Sequence, residues 1–168
     1  MKVKMALVVT LVVLGSVLVV PSAQAVDRMT VHRAGNYYLT HACAVSKAIN
    51  RFNWRIWLGR DWITTREIQR RLPQIKRETR LLVKAERGFA TRLRKPPAAW
   101  PTEVEQPVKV LGTRINRRAS VMNRAAHAHR AQAWIKWMRV SERISAGQQV
   151  TMIRDRLGLP ASGGCAGR

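Results

Sequence analysis

Four histidines, two cysteines and nine carboxylates are the residues from which this 168-residue chain would have to build a reactive centre. The histidines are His32, His41, His127 and His129. His127 and His129 stand two apart, so on a helix they point about 200° from each other, and only a loop or strand lets both grip one ion. A di-metal site in a helical bundle needs inward Glu residues and Glu-x-x-His pairs, and the chain has no such pair. It also lacks a Gly-x-Ser-x-Gly elbow, a Walker loop and a dinucleotide glycine motif. Among the carboxylates, Glu67 and Glu105 read as helix-cap partners and Glu103 sits at a helix start, where the dipole favours it; the others are scattered among arginines. The pattern points to a noncatalytic protein with no metal and no cofactor.

Cys43 and Cys165 are the only cysteines. If the chain is exported they read as a disulfide, closing a loop of about 120 residues for which chain entropy gives roughly 4–5 kcal/mol. The competing reading is a pair of free or intermolecular thiols.

The tryptophans and arginines form the best candidate binding constellation. Trp54 and Trp57 end a first helix, Trp62 precedes a second, and Trp134 and Trp137 open a last one, which places all five at one end of an antiparallel bundle and Trp100 at the other. Arg55, Arg60, Arg130, Lys136 and Arg139 belong to the five-tryptophan end. Indole faces stack sugars or bases while guanidinium groups hold phosphate or carboxylate. The bland alternative is that the rings fill the bundle mouth with arginines lying over them. A second basic feature is the series Arg66, Arg70, Arg77, Arg80, Lys84 and Arg87, a stripe opposite the apolar seam of helix 2 that suits a polyanion or an anionic lipid surface; its alternative is a solvated outer face. No recognition motif for sequence-specific nucleic-acid reading is present.

Four amphipathic helices would position these groups. Tyr38, Ala42, Val45, Ile49, Phe52 and Ile56 share one face of a helix over 31–58, with Gly59 as its stop. Thr64 and Glu67 form a capping box with an Ile63–Ile68 staple, opening a second helix that runs to Pro96 and that Pro73 kinks or divides after one turn. Glu86 falls on its apolar seam, where it can pair with an arginine of a neighbouring helix. Thr102 and Glu105 repeat the box after Trp100-Pro101, and this third helix, with Pro107 in its second turn, breaks near Ala126 to His129. A fourth runs through Trp134, Trp137, Val140, Ile144, Val150, Ile153 and Leu157. It stops at Leu157-Gly158-Leu159-Pro160, with Gly158 left-handed. The expected fold is an all-α, up-down-up-down four-helix bundle with one disulfide.

Residues 1–25 read as a signal peptide: Lys2 and Lys4, an apolar run from Met5 to Val20, and Ala23-Gln24-Ala25 as cleavage site. The run falls short of the about 20 apolar residues that a spanning helix needs. The expected organisation is therefore 1–25 signal peptide, 26–160 helical bundle and 161–168 a tail carrying Cys165. The whole chain has 31 basic and 9 acidic residues, net +22, and loss of Lys2 and Lys4 leaves 29 against 9, or +20. Such a field attracts phosphate-bearing polymers or anionic lipid without selecting among them. Arginine makes up 23 of the 31 basic residues, so drift in a genome rich in G and C is the competing source of the charge.

The signal peptide, the Trp100-Pro101 helix start and the Leu157-Gly158-Leu159-Pro160 stop resemble small exported helical proteins of actinobacteria. The resemblance implies export and an all-helical fold, and carries over no site residue. The expected function is electrostatic association with anionic envelope polymer or acidic lipid, secreted or at the cell envelope. The alternative is an interaction or structural domain with incidental charge.

Overall fold

The computed structural model of the protein describes residues 26–57 and 63–165; the expected signal peptide and its cleavage site, and Gly59, Arg60 and Trp62, lie outside the described residues. Within them the chain is helical, with α1 (Val31–Trp57), α2 (Thr65–Arg70), α3 (Leu72–Arg94), α4 (Thr102–Ala126), α5 (Ala131–Glu142) and α6 (Gly147–Arg156). No strand occurs among the described residues, and the one bridge pairs Arg28 with Ala99.

Six helices stand where four were expected, and each extra break has a cause. Pro73 lacks an N–H and its ring would strike the carbonyl of Gln69, so the helix gives way at Arg71. Pro73 then sits in the first turn of α3, where a missing donor is harmless. The expected fourth helix divides between Arg143 and Ala146. Ile144 and Val150 are six residues apart, a spacing that would carry Val150 off the apolar face of a continuous helix. Breaking the chain there turns α6 so that Ile153 is fully buried. The expected break after Ala126 is present.

The three long helices run antiparallel. Tyr37 Oη donates to Arg92 O and Arg51 Nε to Glu78 Oε2, so residue numbers rise along α1 as they fall along α3. Glu86 with Arg118 and Arg80 with Ala126 O give the same relation between α3 and α4. Beyond these three, α5 packs on α4 and α2, and α6 on α4.

Prolines leave carbonyls without their usual partner four residues on, and in three places a side chain from outside the helix supplies the donor. Tyr37 Oη reaches Arg92 O at 3.3 Å, four before Pro96. Trp100 Nε1 reaches Leu93 O at 2.9 Å, four before Pro97. The Arg156 guanidinium reaches Glu103 O, four before Pro107. The tertiary fold thus completes helices that the sequence interrupts.

Thr64 caps α2 as expected, its Oγ1 accepting from Glu67 N at 3.2 Å. The second capping box does not form. Pro101 O accepts from the amides of Val104 and Glu105, so the helix opens one residue early, and the Glu105 carboxylate instead binds Arg28 Nη1 at 2.7 Å. At the other end, Gly158 has φ +63°, Leu159 N donates to Arg154 O and Gly158 N to Asp155 O, the two bonds of a Schellman stop.

Cys43 and Cys165 are disulfide-bonded across 122 residues of sequence. The tail that reaches back is held twice more by Arg154, whose Nε donates to Pro160 O at 2.5 Å and Nη2 to Gly163 O at 3.0 Å. Leu159 lies against Gly35 of α1, where an added Cβ would come 3.2 Å from its Cδ2.

Buried side chains form two cores along the long helices. The first gathers Tyr38, Leu39, Phe89, Leu93, Trp100, Val104, Leu111 and Ile153, and the second Phe52, Ile56, Ile68, Ile75, Leu82, Met122 and Trp134. Between them sit Glu86, 1 % exposed, and Arg118, ion-paired through Oε1 and Nη2. This is the seam pairing expected for Glu86.

Candidate functional site

Of the five tryptophans that the sequence groups at one end, Trp57, Trp134 and Trp137 meet at the second core, where their roles differ. Trp134 opens α5 after a loop whose register is set by Gln69: its Oε1 accepts from Ala131 N at 2.8 Å, supplying the N-terminal cap that Arg130 does not. Trp134 is 4 % exposed, and its Nε1 donates to Thr79 Oγ1 at 3.1 Å, while Thr79 donates to Ile75 O. An indole held this way is core, and its faces are closed to a ligand. Trp57 and Trp137 are half-buried against the same core. Trp137 carries Arg124 at 4.9 Å and Lys136 at 5.5 Å from its ring centroid, a cation-π arrangement worth about 0.5–1 kcal/mol at such depth.

Trp54, by contrast, is 66 % exposed and stands apart from this core. Arg55, Arg130, Lys136 and Arg139 are exposed. Arg60 and Trp62 lie outside the described residues. Trp57, Trp134 and Trp137 thus belong to the second core and Trp100 to the first. Arg71 was not legible as a site residue: its Nη1 and Nη2 bind Ile56 O and Arg55 O, closing the C-terminus of α1.

The basic stripe is carried by two helices. Arg66 and Arg70 lie on α2, and Arg77, Arg80, Lys84 and Arg87 on α3, with the break at Arg71 between them. All six are exposed. Among the described residues none is ion-paired; the carboxylates that form pairs serve Arg28, Arg51, Arg71 and Arg118 instead. Exposed cations without an ion pair contribute a field that extends over roughly a Debye length, about 10 Å at 0.1 M salt.

Ionisation elsewhere follows burial. Desolvation raises the Glu86 carboxyl above its ordinary value, outweighing the hydrogen bond and charge of Arg118, and it pushes Tyr38 up to about 12. His41 is lowered, first by burial and then by Arg92. No group of three or more metal-ligating side chains occurs among the described residues.

Two clefts flank the connection between α5 and α6. One, of about 410 Å³, lies between α1, α4 and α6 and is lined by Tyr38, Val45, Phe89, Leu111, Ile115 and Val150, with Arg118 in its wall. The other, of about 460 Å³, is lined by Arg114, Arg117, Val140, Arg143, Ile144 and Ser145. Sequence reasoning missed these three arginines because their convergence depends on the break after Glu142. The spacing of Ile144 and Val150 was the one local signal for it.

Comparison of the chain with protein-family models, curated proteins and solved structures finds no match.

Proposed function

We propose that the protein is a noncatalytic, strongly cationic exported helical protein that associates electrostatically with anionic cell-envelope polymers or lipid surfaces. The observation that carries this reading is the α2–α3 stripe: six exposed basic side chains, none ion-paired among the described residues, on a chain of net +22. Export rests on the 1–25 segment. The disulfide is in keeping with an oxidising compartment, and no helix among the described residues is long and apolar enough to cross a membrane. A surface built this way binds through many weak, screened contacts, so salt should release it.

Retention of the purified protein on isolated wall polymer or acidic vesicles tests the reading. Binding at low salt should fall steeply as salt approaches 1 M, where the Debye length is about 3 Å. Reversing Arg66, Arg70, Arg77 and Arg80 to Glu should abolish it while the helical signal stays intact. No retention at low salt, or retention indifferent to the four reversals, overturns it. The cleft between α1, α4 and α6, where Tyr38, Val45, Phe89 and Val150 meet Arg118, Glu142 and Arg154, favours one second reading, an interaction or structural domain with incidental charge. Capture of a protein partner that survives the four reversals would support that reading instead.

A further inference from the structure

We propose that the cleft between α4 and the α5–α6 connection binds a phosphate monoester carrying an apolar substituent. Arg114 and Arg117 are three residues apart on α4 and so share one face, while Arg143 enters from the opposite wall directly after α5. Arg114 Nη1 donates to Ser145 O at 2.9 Å, which fixes that guanidinium at the rim and leaves its other donors for a ligand. None of the three arginines is ion-paired with a carboxylate among the described residues. Glu142, next in sequence to Arg143, lines the neighbouring cleft with Arg118.

Three arginines line one concavity, and an anion that meets their guanidinium groups relieves the repulsion among them. A carboxylate offers two oxygens and one charge. A phosphate monoester offers three acceptor oxygens and about −1.5 to −2 charge at pH 7, which matches three planar donor forks. The apolar substituent follows from the remaining wall. Val140 and Ile144 are half-buried there, and Ile144 and Ser145 also border the cleft of Tyr38, Val45 and Phe89 on the far side of the connection. None of these residues belongs to the α2–α3 stripe, so this site and the polyanion surface can fail separately.

Calorimetric titration of the folded, disulfide-intact protein at about 0.15 M salt, a level that screens diffuse attraction, is the test. Hexyl phosphate should bind one to one and at least about tenfold more tightly than inorganic phosphate. Arg117→Ala with Arg143→Ala, which leaves the Arg114–Ser145 bond in place, should weaken hexyl phosphate by about tenfold or more. Ile144→Ser should reduce the advantage of hexyl phosphate over inorganic phosphate without changing the latter. The four Glu reversals on the stripe should leave one-to-one binding in place. Vesicles containing phosphatidic acid, tested with the four stripe residues reversed to Glu so that the stripe does not hold the protein, distinguish the source: retention that is lost when Arg117→Ala and Arg143→Ala are added assigns a lipid headgroup, and no retention of the four-reversal protein while it still binds hexyl phosphate assigns a soluble ester. Equal affinity of the wild-type and the Arg117/Arg143 variant for hexyl phosphate, or no saturable binding of it by the wild-type protein, overturns the proposal.

Discussion

The two cores share the same three long helices but are closed by different means. Around Tyr38 and Trp100 the chain is clamped from outside: a disulfide, the two Arg154 bonds to the tail, and side-chain donors on the carbonyls that Pro96, Pro97 and Pro107 strand. Around Trp134 the fixing groups are side chains without a covalent link: Thr79 on the indole inside the packing, and, at its margin, Gln69 on the start of α5 and Arg71 on the end of α1. The first core depends on a covalent bond between α1 and the tail. The second depends on a polar atom placed correctly inside an apolar cluster. Such a contrast makes the two halves sensitive to different perturbations.

The largest effect should come from the first core. Cys43→Ala with Cys165→Ala should cost about 4–5 kcal/mol by the chain-entropy estimate for this loop length, read as the urea midpoint. Hydrogen exchange should rise most at Leu39 and Ile153. Uniform exchange across both cores would erase the contrast. Trp134→Ala should cost about 3–4 kcal/mol and act on the second core, since it empties the site and strips Thr79 of its partner. Trp134→Phe should recover most of the packing and still lose the hydrogen bond.

The Glu86–Arg118 pair lies between the cores and tests whether they are coupled. Glu86→Leu alone should destabilise by about 2–3 kcal/mol, because Arg118 is left half-enclosed with no counter-charge, whereas Glu86→Leu with Arg118→Met should be close to neutral. The pH dependence has a definite sign. Burial raises the folded carboxyl above its ordinary 4.5, so the contribution of Glu86 is complete below 4.5 and is lost as pH rises through the folded value. Wild-type stability relative to Glu86→Gln should therefore decline from pH 4 toward neutrality, measured by urea unfolding at each pH; a rising difference would contradict the burial argument.

A smaller, sharper test concerns Pro107. Arg156→Met should cost about 1 kcal/mol in the native chain and much less in a Pro107→Ala background, where residue 107 regains an amide for Glu103 O. Equal costs in both backgrounds would mean that Arg156 does not act through that carbonyl. Smallest of all, Arg124→Ala should remove about 0.5–1 kcal/mol of contact with Trp137 and shift the tryptophan emission.

Much of the fold was legible because helical periodicity and stop signals are local. Leu157-Gly158-Leu159-Pro160 announced its own Schellman geometry, Thr64 and Glu67 their cap, and Glu86 its need for a partner. The cysteine pair was legible because only two exist. What escaped depended on geometry between segments. Thr102 has the residues of a capping box, but Pro101 opens the helix first and Arg28 takes the carboxylate of Glu105. The expected fourth helix ignored a six-residue gap between Ile144 and Val150, and with it the Arg114, Arg117 and Arg143 cleft. The expectation of a tryptophan end rested on spacing alone. Which rings are buried was decided by Thr79 and Gln69, and nothing in the order of residues marks those two as partners of α5.

The link between Cys43 and Cys165 also orders events during biosynthesis. Its two sulfur atoms are separated by 122 positions of chain, and every helix after α1 is encoded between them. No thiol oxidation can complete this crosslink until α2 through α6 have all emerged, so the bond can act only on a chain that already carries every one of these helices.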